Sequence, residues 1–255
     1  MGEALLKSFI NTRIFQRTEI IVSEYQPERA HYLQENYDVH VSADIKALEA
    51  CHLLILAIKP QDLSKIQLNL GEGTVMISLL AGITTSSLKK QFPHARIVRT
   101  MPNLGLSVGF GMTGIYFRDK QVFTETETKL IKQCFRASGR ILEVSEEAAM
   151  DSVTAISGSG PAYFFYFLEK LISTSQNMGF SKEDSELLAR QTLLGAMEIL
   201  RLNTDDTAQL WREKVTSKGG TTEEAIKAFD GSNFEKILST ALKAAENRSK
   251  ELGGG

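Results

Sequence analysis

Apolar positions in the first part of the chain follow two rhythms in turn. Residues 3–15 space them three and four apart, as an amphipathic helix does, whereas residues 19–23 (EIIVS) form a short β-branched run and so a strand. Helical spacing returns over 27–36, with Pro27 suited to a first helical turn, and a brief strand follows at 39–41. Residues 44–50 predict a short helix. Residues 53–58 (LLILAI) and 75–80 (VMISLL) are continuous apolar runs closed by Lys59-Pro60 and Ala81-Gly82, the pattern of strands buried on both faces. Residues 61–70 and 86–92 predict helices between strands, and 96–100 (RIVRT) a further strand. Residues 111–117 and 139–144 add candidate edge strands around a helix at 125–137. Strands alternating with helices at this spacing predict a parallel, doubly wound sheet.

Beyond about residue 146 the strand-like runs stop. Residues 148–157, 161–178, 182–202, 207–216, 222–230 and 234–251 all show helical spacing, with Pro161 at a helix start and Ser181 placed to cap the next one. The fold class is therefore α/β: a doubly wound sheet domain over 1–145, then an all-helical domain over 146–255. Long helices with one apolar face predict packing against a second copy of the chain.

Composition narrows the function. Apolar residues make up 42% of 255, enough for real cores, and a net charge of -2 gives no electrostatic reason to expect nucleic acid or an anionic membrane as partner. The four His show no metal-ligand spacing, so no metal is expected. Cys51 and Cys134 stand apart beside apolar residues and read as buried free thiols of a reducing compartment. No apolar run is long enough to span a bilayer and no targeting signal opens the chain, so a cytoplasmic protein is expected. The terminal Gly-Gly-Gly reads as a frayed tail.

Three stretches carry chemistry. One is Ser157-Gly-Ser-Gly-Pro-Ala-Tyr163, preceded by Met150-Asp-Ser-Val-Thr-Ala-Ile156. Another is Val215-Thr-Ser-Lys-Gly-Gly-Thr-Thr222, where paired glycines let backbone N–H groups approach an anion and the next helix adds its positive end. The last is Ala57-Ile-Lys-Pro-Gln61 with Met101-Pro-Asn103 downstream, at the carboxyl ends of predicted strands, where open α/β sheets bind ligands. In this order and spacing the chain resembles the pyrroline-5-carboxylate reductase family over nearly its whole length.

That resemblance implies a Rossmann domain, a helical dimerisation domain, and reduction of a cyclic imine to L-proline with NADPH or NADH, with a homodimer or larger homo-oligomer as the working form. It implies that Thr222 sits beside the ring nitrogen and that Ser217, Gly219, Gly220, Thr221 and Val215 line the substrate pocket. Glu147 matches an acid that meets the substrate amine, so Glu147→Gln is expected to lower turnover more than cofactor affinity. Ala57, Ile58, Lys59, Pro60, Ala81, Gly82, Asn103 and Lys214 are placed around the cofactor. The plainer alternatives are a Gly-rich turn with a Thr cap at 219–222, a solvated Glu147, a surface Lys59, and helix packing at 157–163. Two departures stand out: Lys218 where the family usually has proline, and Asp44 where an Asn holds the cofactor ribose.

The family's dinucleotide fingerprint places Met-Gly-x-Ala-Leu directly after Gly-x-Gly-Asn. The chain opens Met1-Gly2-Glu3-Ala4-Leu5, so Gly2 matches the third glycine, and the first two glycines with the first strand, about ten residues, are missing: either they stand upstream in a longer protein, or the chain is a product that binds dinucleotide poorly. The sheet should then show a gap beside residues 53–58, or direct pairing with 19–23. Glu24, about twenty residues on, stands where an acid binds the 2′-hydroxyl of NAD; it equally reads as an exposed loop acid, and Arg29 could offset it, so NADH and NADPH both stay open. Two rivals remain. A non-catalytic helical scaffold would keep the fold without the chemistry. A β-hydroxyacid dehydrogenase would need a catalytic Lys on the first helix of the second domain, where the chain has aromatic residues and only Lys170.

Overall fold

The computed structural model describes residues 1–253, which divide into two compact units: Met1–Pro161 together with the chain from Ala244 onward, and Ala162–Lys243. The expected boundary near 145 marks where strands stop. The division by contact comes later, because the first helical turns and the end of the last helix pack with the strands.

In the first unit α1 (Gly2–Thr12) precedes β1 (Ile21–Ser23), α2 (Pro27–Tyr37) and β2 (His40–Ser42). Next come β3 (Leu53–Leu56), β4 (Val75–Ser78), α3 (Thr85–Gln91) and β5 (Arg96–Pro102). β6 (Gly111–Phe117), α4 (Glu125–Arg136), β7 (Gly139–Glu143) and α5 (Ala149–Val153) complete it, with a π-helical turn over Thr154–Gly158. Strands 3 to 7 form one sheet in chain order, parallel except for the antiparallel β5–β6 pair. β1 and β2 form a separate parallel pair. Among the described residues β1 pairs only with β2 and β3 only with β4, so a gap, not direct pairing, stands beside β3.

Alternation along β4 explains why it reads as an unbroken apolar run. Val75 and Ile77 face a cluster with Leu5 and Phe9 of α1 and Ile131 and Phe135 of α4, while Met76 faces Leu54, Leu56, Leu88 and Phe92 on the other side. A smaller cluster of Leu6, Leu33 and Val39 ties α1 and α2 to the β1–β2 pair. Two predicted helices differ. Residues 44–50 hold only a 3-10 turn, Ile45–Leu48, and 61–70 only the 3-10 turn Pro60–Lys65. Ile66 leaves the turn with extended backbone, and Gln91 Nε2 donates to the carbonyls of Leu63 and Ile66 at 2.9 and 2.7 Å.

The helices that follow are α6 (Gly160–Asn177), α7 (Lys182–Leu202), α8 (Ala208–Lys214), α9 (Thr221–Gly231) and α10 (Phe234–Leu252). Among the described residues of the second unit only Ser185 and Ala189 are buried, while Phe164, Phe165, Tyr166, Leu187 and Leu194 are each about three-fifths exposed or more. No helix among the described residues is long and apolar enough to cross a membrane. Gly253 ends in a turn onto Lys250; the last two glycines of the expected tail lie outside the described residues.

Candidate active site

Three turns in the first unit close the carboxyl ends of β3, β4 and β5. After β3 the chain runs through Ala57, Ile58, Lys59 and Pro60, with Ala57 and Lys59 exposed. α1 begins against this turn: a Cβ at Gly2 would lie 3.0 Å from the Cβ of Ala57. Close helix–strand packing is the physical role of the third fingerprint glycine, so this contact fits a dinucleotide at the start of α1. No side chain caps that helix, which leaves its first N–H groups open to an anion.

The turn after β4 contains Ala81 and Gly82. Gly82 is left-handed, with φ +75, and a Cβ there would meet Ser249 O at 2.6 Å and Leu252 Cβ at 2.7 Å. Its freedom serves the docking of the end of α10. After β5, Asn103 Oδ1 accepts from Met112 N at 3.1 Å and Nδ2 donates to Ser157 Oγ at 3.4 Å. Gly158 packs where a Cβ would sit 2.5 Å from Met101 Cε. Within 157–163, Gly158 thus serves packing, and Ser157 orients the Asn103 amide.

Glu147 is engaged on both oxygens. Thr85 donates its backbone N–H and its hydroxyl, each at 2.6 Å, and Arg99 Nη1 approaches Oε1 at 3.3 Å. Arg99 is 2% exposed on β5, and its other nitrogen donates to Asp151 Oδ1 at 3.0 Å, which also accepts from Ser249 Oγ at 2.8 Å. Glu147 therefore fastens the start of α3 to β5, and Asp151 fastens the end of α10 to the same arginine. The sequence reading missed Arg99, Thr85, Asp151 and Ser249. A charge in the middle of RIVRT was the available signal, since a buried arginine needs partners.

At the ends of β1 and β2 stand two acids. Glu24 N donates to Ser42 O at 3.1 Å, and Glu24 Oε1 accepts from Gln26 N at 3.0 Å. Asp44 caps its 3-10 turn by accepting from Lys46 N at 2.9 Å. An open cavity of about 660 Å³, lined by Lys46, Glu49, Gln91 and His94 among others, includes none of the expected site residues.

The second unit holds the glycine loop between α8 and α9. Val215 is exposed after α8, and Lys214 is drawn to Asp206 at 3.1 Å and lies 4.0 Å over the Trp211 ring. Gly219 is left-handed at φ +72, and a Cβ on Gly220 would fall 2.5 Å from Ser217 Oγ, so the tight path needs both glycines. Gly220 is the N-cap residue of α9 and has no side chain to offer, which leaves the N–H groups of Thr221 and Thr222 free of intrahelical partners. Gly219 N donates to the Glu223 carboxylate at 2.6 Å. The loop thus holds a carboxylate of its own chain.

Comparison with known proteins extends the match across the chain. Residues 147–252 match the family model for pyrroline-5-carboxylate reductase dimerisation, and residues 1–82 match that for NADP oxidoreductase, coenzyme F420-dependent. The pyrroline-5-carboxylate reductase of Synechocystis sp. is 38% identical over 99% of this chain and 95% of its own length. A solved pyrroline-5-carboxylate reductase from Coxiella burnetii superposes with a TM-score of 0.86 at 32% identity, covering 98% of this chain and 94% of that one. The Plasmodium falciparum pyrroline carboxylate reductase, solved with NADP bound, superposes at 0.82 with 26% identity, covering 99% and 94%.

Proposed function

The chain belongs to the pyrroline-5-carboxylate reductase family, and from that premise we infer that it reduces Δ1-pyrroline-5-carboxylate to L-proline with NAD(P)H. It is an oxidoreductase with a Rossmann-like sheet unit and a helical unit of the dimerisation type. The observation that carries the substrate assignment is the glycine loop of α9, whose Gly219 N–H already donates to a carboxylate.

In the reaction the imine carbon takes a hydride and the ring nitrogen a proton. Bound reduced nicotinamide supplies the hydride. The chain supplies position and electrostatics. Thr221 holds the substrate carboxylate through its backbone N–H at the positive end of α9, and Gly219 joins it where that carboxylate displaces Glu223; Gly220, whose own N–H donates to Ser217 O at 3.0 Å, shapes the turn, with the Ser217 hydroxyl beside them and Val215 as an apolar wall. Thr222 places its hydroxyl oxygen to accept from the protonated ring nitrogen, which favours the more electrophilic iminium. Lys218 adds positive charge near the anion in a loop less preordered than one carrying proline.

A dinucleotide would be held at its pyrophosphate by Gly2 and the start of α1, at its nicotinamide and ribose by Ala57 to Pro60, Ala81, Gly82 and Asn103, and at its other ribose by Glu24 and Asp44. Lys214, occupied by Asp206, is the weakest member of this set. Glu147 acts through the turn it holds; it is a positioning residue for the β4–α3 turn.

The exposed apolar helices of the second unit support a homodimer, working in the cytoplasm at the last step of proline biosynthesis. The test is consumption of reduced nicotinamide together with formation of L-proline by the purified chain. Thr222→Val should slow turnover by about a hundredfold. A folded, oligomeric chain that forms no proline would sink the reading.

A further inference from the structure

Glu3 lies in the first turn of α1 and Arg29 in the first turn of α2. Their side chains form a direct ion pair, and Glu3 Oε1 also accepts from the hydroxyls of Tyr37 at 2.8 Å and Tyr32 at 3.0 Å. Arg29 stacks over the Tyr32 ring, 4.8 Å from its centroid. The Arg29 hydrogen bond holds the Glu3 carboxyl below its ordinary range, and Glu3 in turn raises Arg29. The two helix starts are therefore joined at the same end of the β1–β2 pair, and the turn carrying Glu24 lies between them in the chain.

A ribose next to a phosphate at the start of α1 would reach that turn. There it would meet Glu24, fixed by the Gln26 N–H, with Asp44 after the neighbouring strand. A carboxylate accepts hydrogen bonds from a 2′-hydroxyl and repels a 2′-phosphate. Arg29 is the cation placed to attract such a phosphate, and Glu3 draws it away. We propose that Glu24 and the Glu3–Arg29 pair together make the chain select NADH over NADPH, with Glu3 as a specificity-determining residue that works by withdrawing Arg29.

The proposal rests on the reductase reading, and binding measurements separate the two. Dissociation constants for NADH and NADPH on the full chain, by nicotinamide fluorescence or calorimetry, should favour NADH by at least about tenfold, with the margin shrinking as salt rises. Glu24→Gln should narrow the ratio by tightening NADPH. Glu3→Gln should narrow it as well by freeing Arg29, and a second substitution, Arg29→Gln, should cancel that gain. NADPH binding as tightly as NADH, or a ratio unmoved by both Glu24→Gln and Glu3→Gln, overturns this proposal and leaves the reductase standing. A folded chain that binds neither cofactor overturns both.

Discussion

The two units solve the same problem, hiding apolar surface, in different ways. In the first, Met76, Ile77, Leu88 and Ile115 lose all contact with water inside a sheet covered on both faces. In the second, among the described residues, only Ser185 and Ala189 are buried, although its helices carry as many phenylalanines and leucines as a core would need. A sheet with helices on both sides completes its core within one chain. The helices of the second unit do not, and their exposed apolar faces are the surface that a second copy would cover in the proposed homodimer. The difference separates what stabilises each part: internal packing and a buried charge network for the sheet unit and, in the proposed homodimer, association for the helical one.

The sharpest way to break this comparison is to spoil the association. Leu194 is 61% exposed on α7 and Phe165 is 59% exposed on α6. Each such side chain is worth about 1.5–3 kcal/mol when buried. Leu194→Glu and Phe165→Glu should halve the mass seen by light scattering and abolish turnover. A wild-type chain that is monomeric at micromolar concentration would remove the contrast altogether.

Next in size is the charge network of the sheet unit. Arg99→Met leaves Glu147 and Asp151 facing each other's charge without the guanidinium between them. Losing one partner of a buried ion pair costs about 3–5 kcal/mol. Urea unfolding should show that loss, while the oligomeric mass stays that of the wild type. A variant as stable as the wild type would mean that water or another group compensates the two acids.

A smaller effect is expected at Glu147. Glu147→Gln keeps one carbonyl oxygen for Thr85 N and Arg99 Nη1 but puts an amide NH2, which cannot accept, where the Thr85 hydroxyl donates to the second oxygen. If the residue works by holding the β4–α3 turn, turnover and cofactor affinity fall together, by about tenfold, and the pH profile keeps its shape. Thr85→Val should then reproduce the same pattern. If Glu147 instead meets the substrate, turnover alone falls and one limb of the pH profile disappears.

These contrasts also explain what was legible beforehand. Residues 53–58 and 75–80 gave away their strands because both runs are almost wholly apolar; β4 is buried at every position, its Ser78 included, whereas β3 is fully buried only at Leu54 and Leu56. The loop at 219–222 was legible because its chemistry is local: two glycines, two threonines and a helix start. The Arg99 network was not, since Thr85, Arg99, Glu147, Asp151 and Ser249 come together only in the fold. The π turn over Thr154–Gly158 is not distinguished from ordinary helix by the spacing of apolar residues over 148–157, since one widened turn is too short to shift that pattern. Residues 61–70 have helical spacing yet hold only the 3-10 turn Pro60–Lys65, with the carbonyls of Leu63 and Ile66 bonded to the distant Gln91 side chain, a contact that local spacing does not reveal.

The smallest expected effect tests whether the sheet unit responds to acid by itself. Glu127 closes the capping box of α4 with Thr124 and takes a bidentate bond from Arg96, at 2.9 and 2.6 Å. The Arg96 hydrogen bonds, with help from the Thr124 backbone, push its carboxyl down from 4.5 to about 2. A carboxyl whose folded value is depressed adds stability that is complete above its unfolded value and is lost as pH falls through the folded one. Glu127→Gln should therefore cost about 1–2 kcal/mol at neutral pH. The difference from wild type should shrink below pH 4.5 and vanish near pH 2. Urea unfolding at several pH values, followed separately by the Trp211 signal of the helical unit and by the far-ultraviolet signal of the whole chain, reads this directly. A pH-dependent loss seen only outside Trp211 shows two units that unfold apart. The same loss in both signals shows that association has fused them into one cooperative structure, and a difference constant with pH would mean that Arg96 does not hold Glu127 as described.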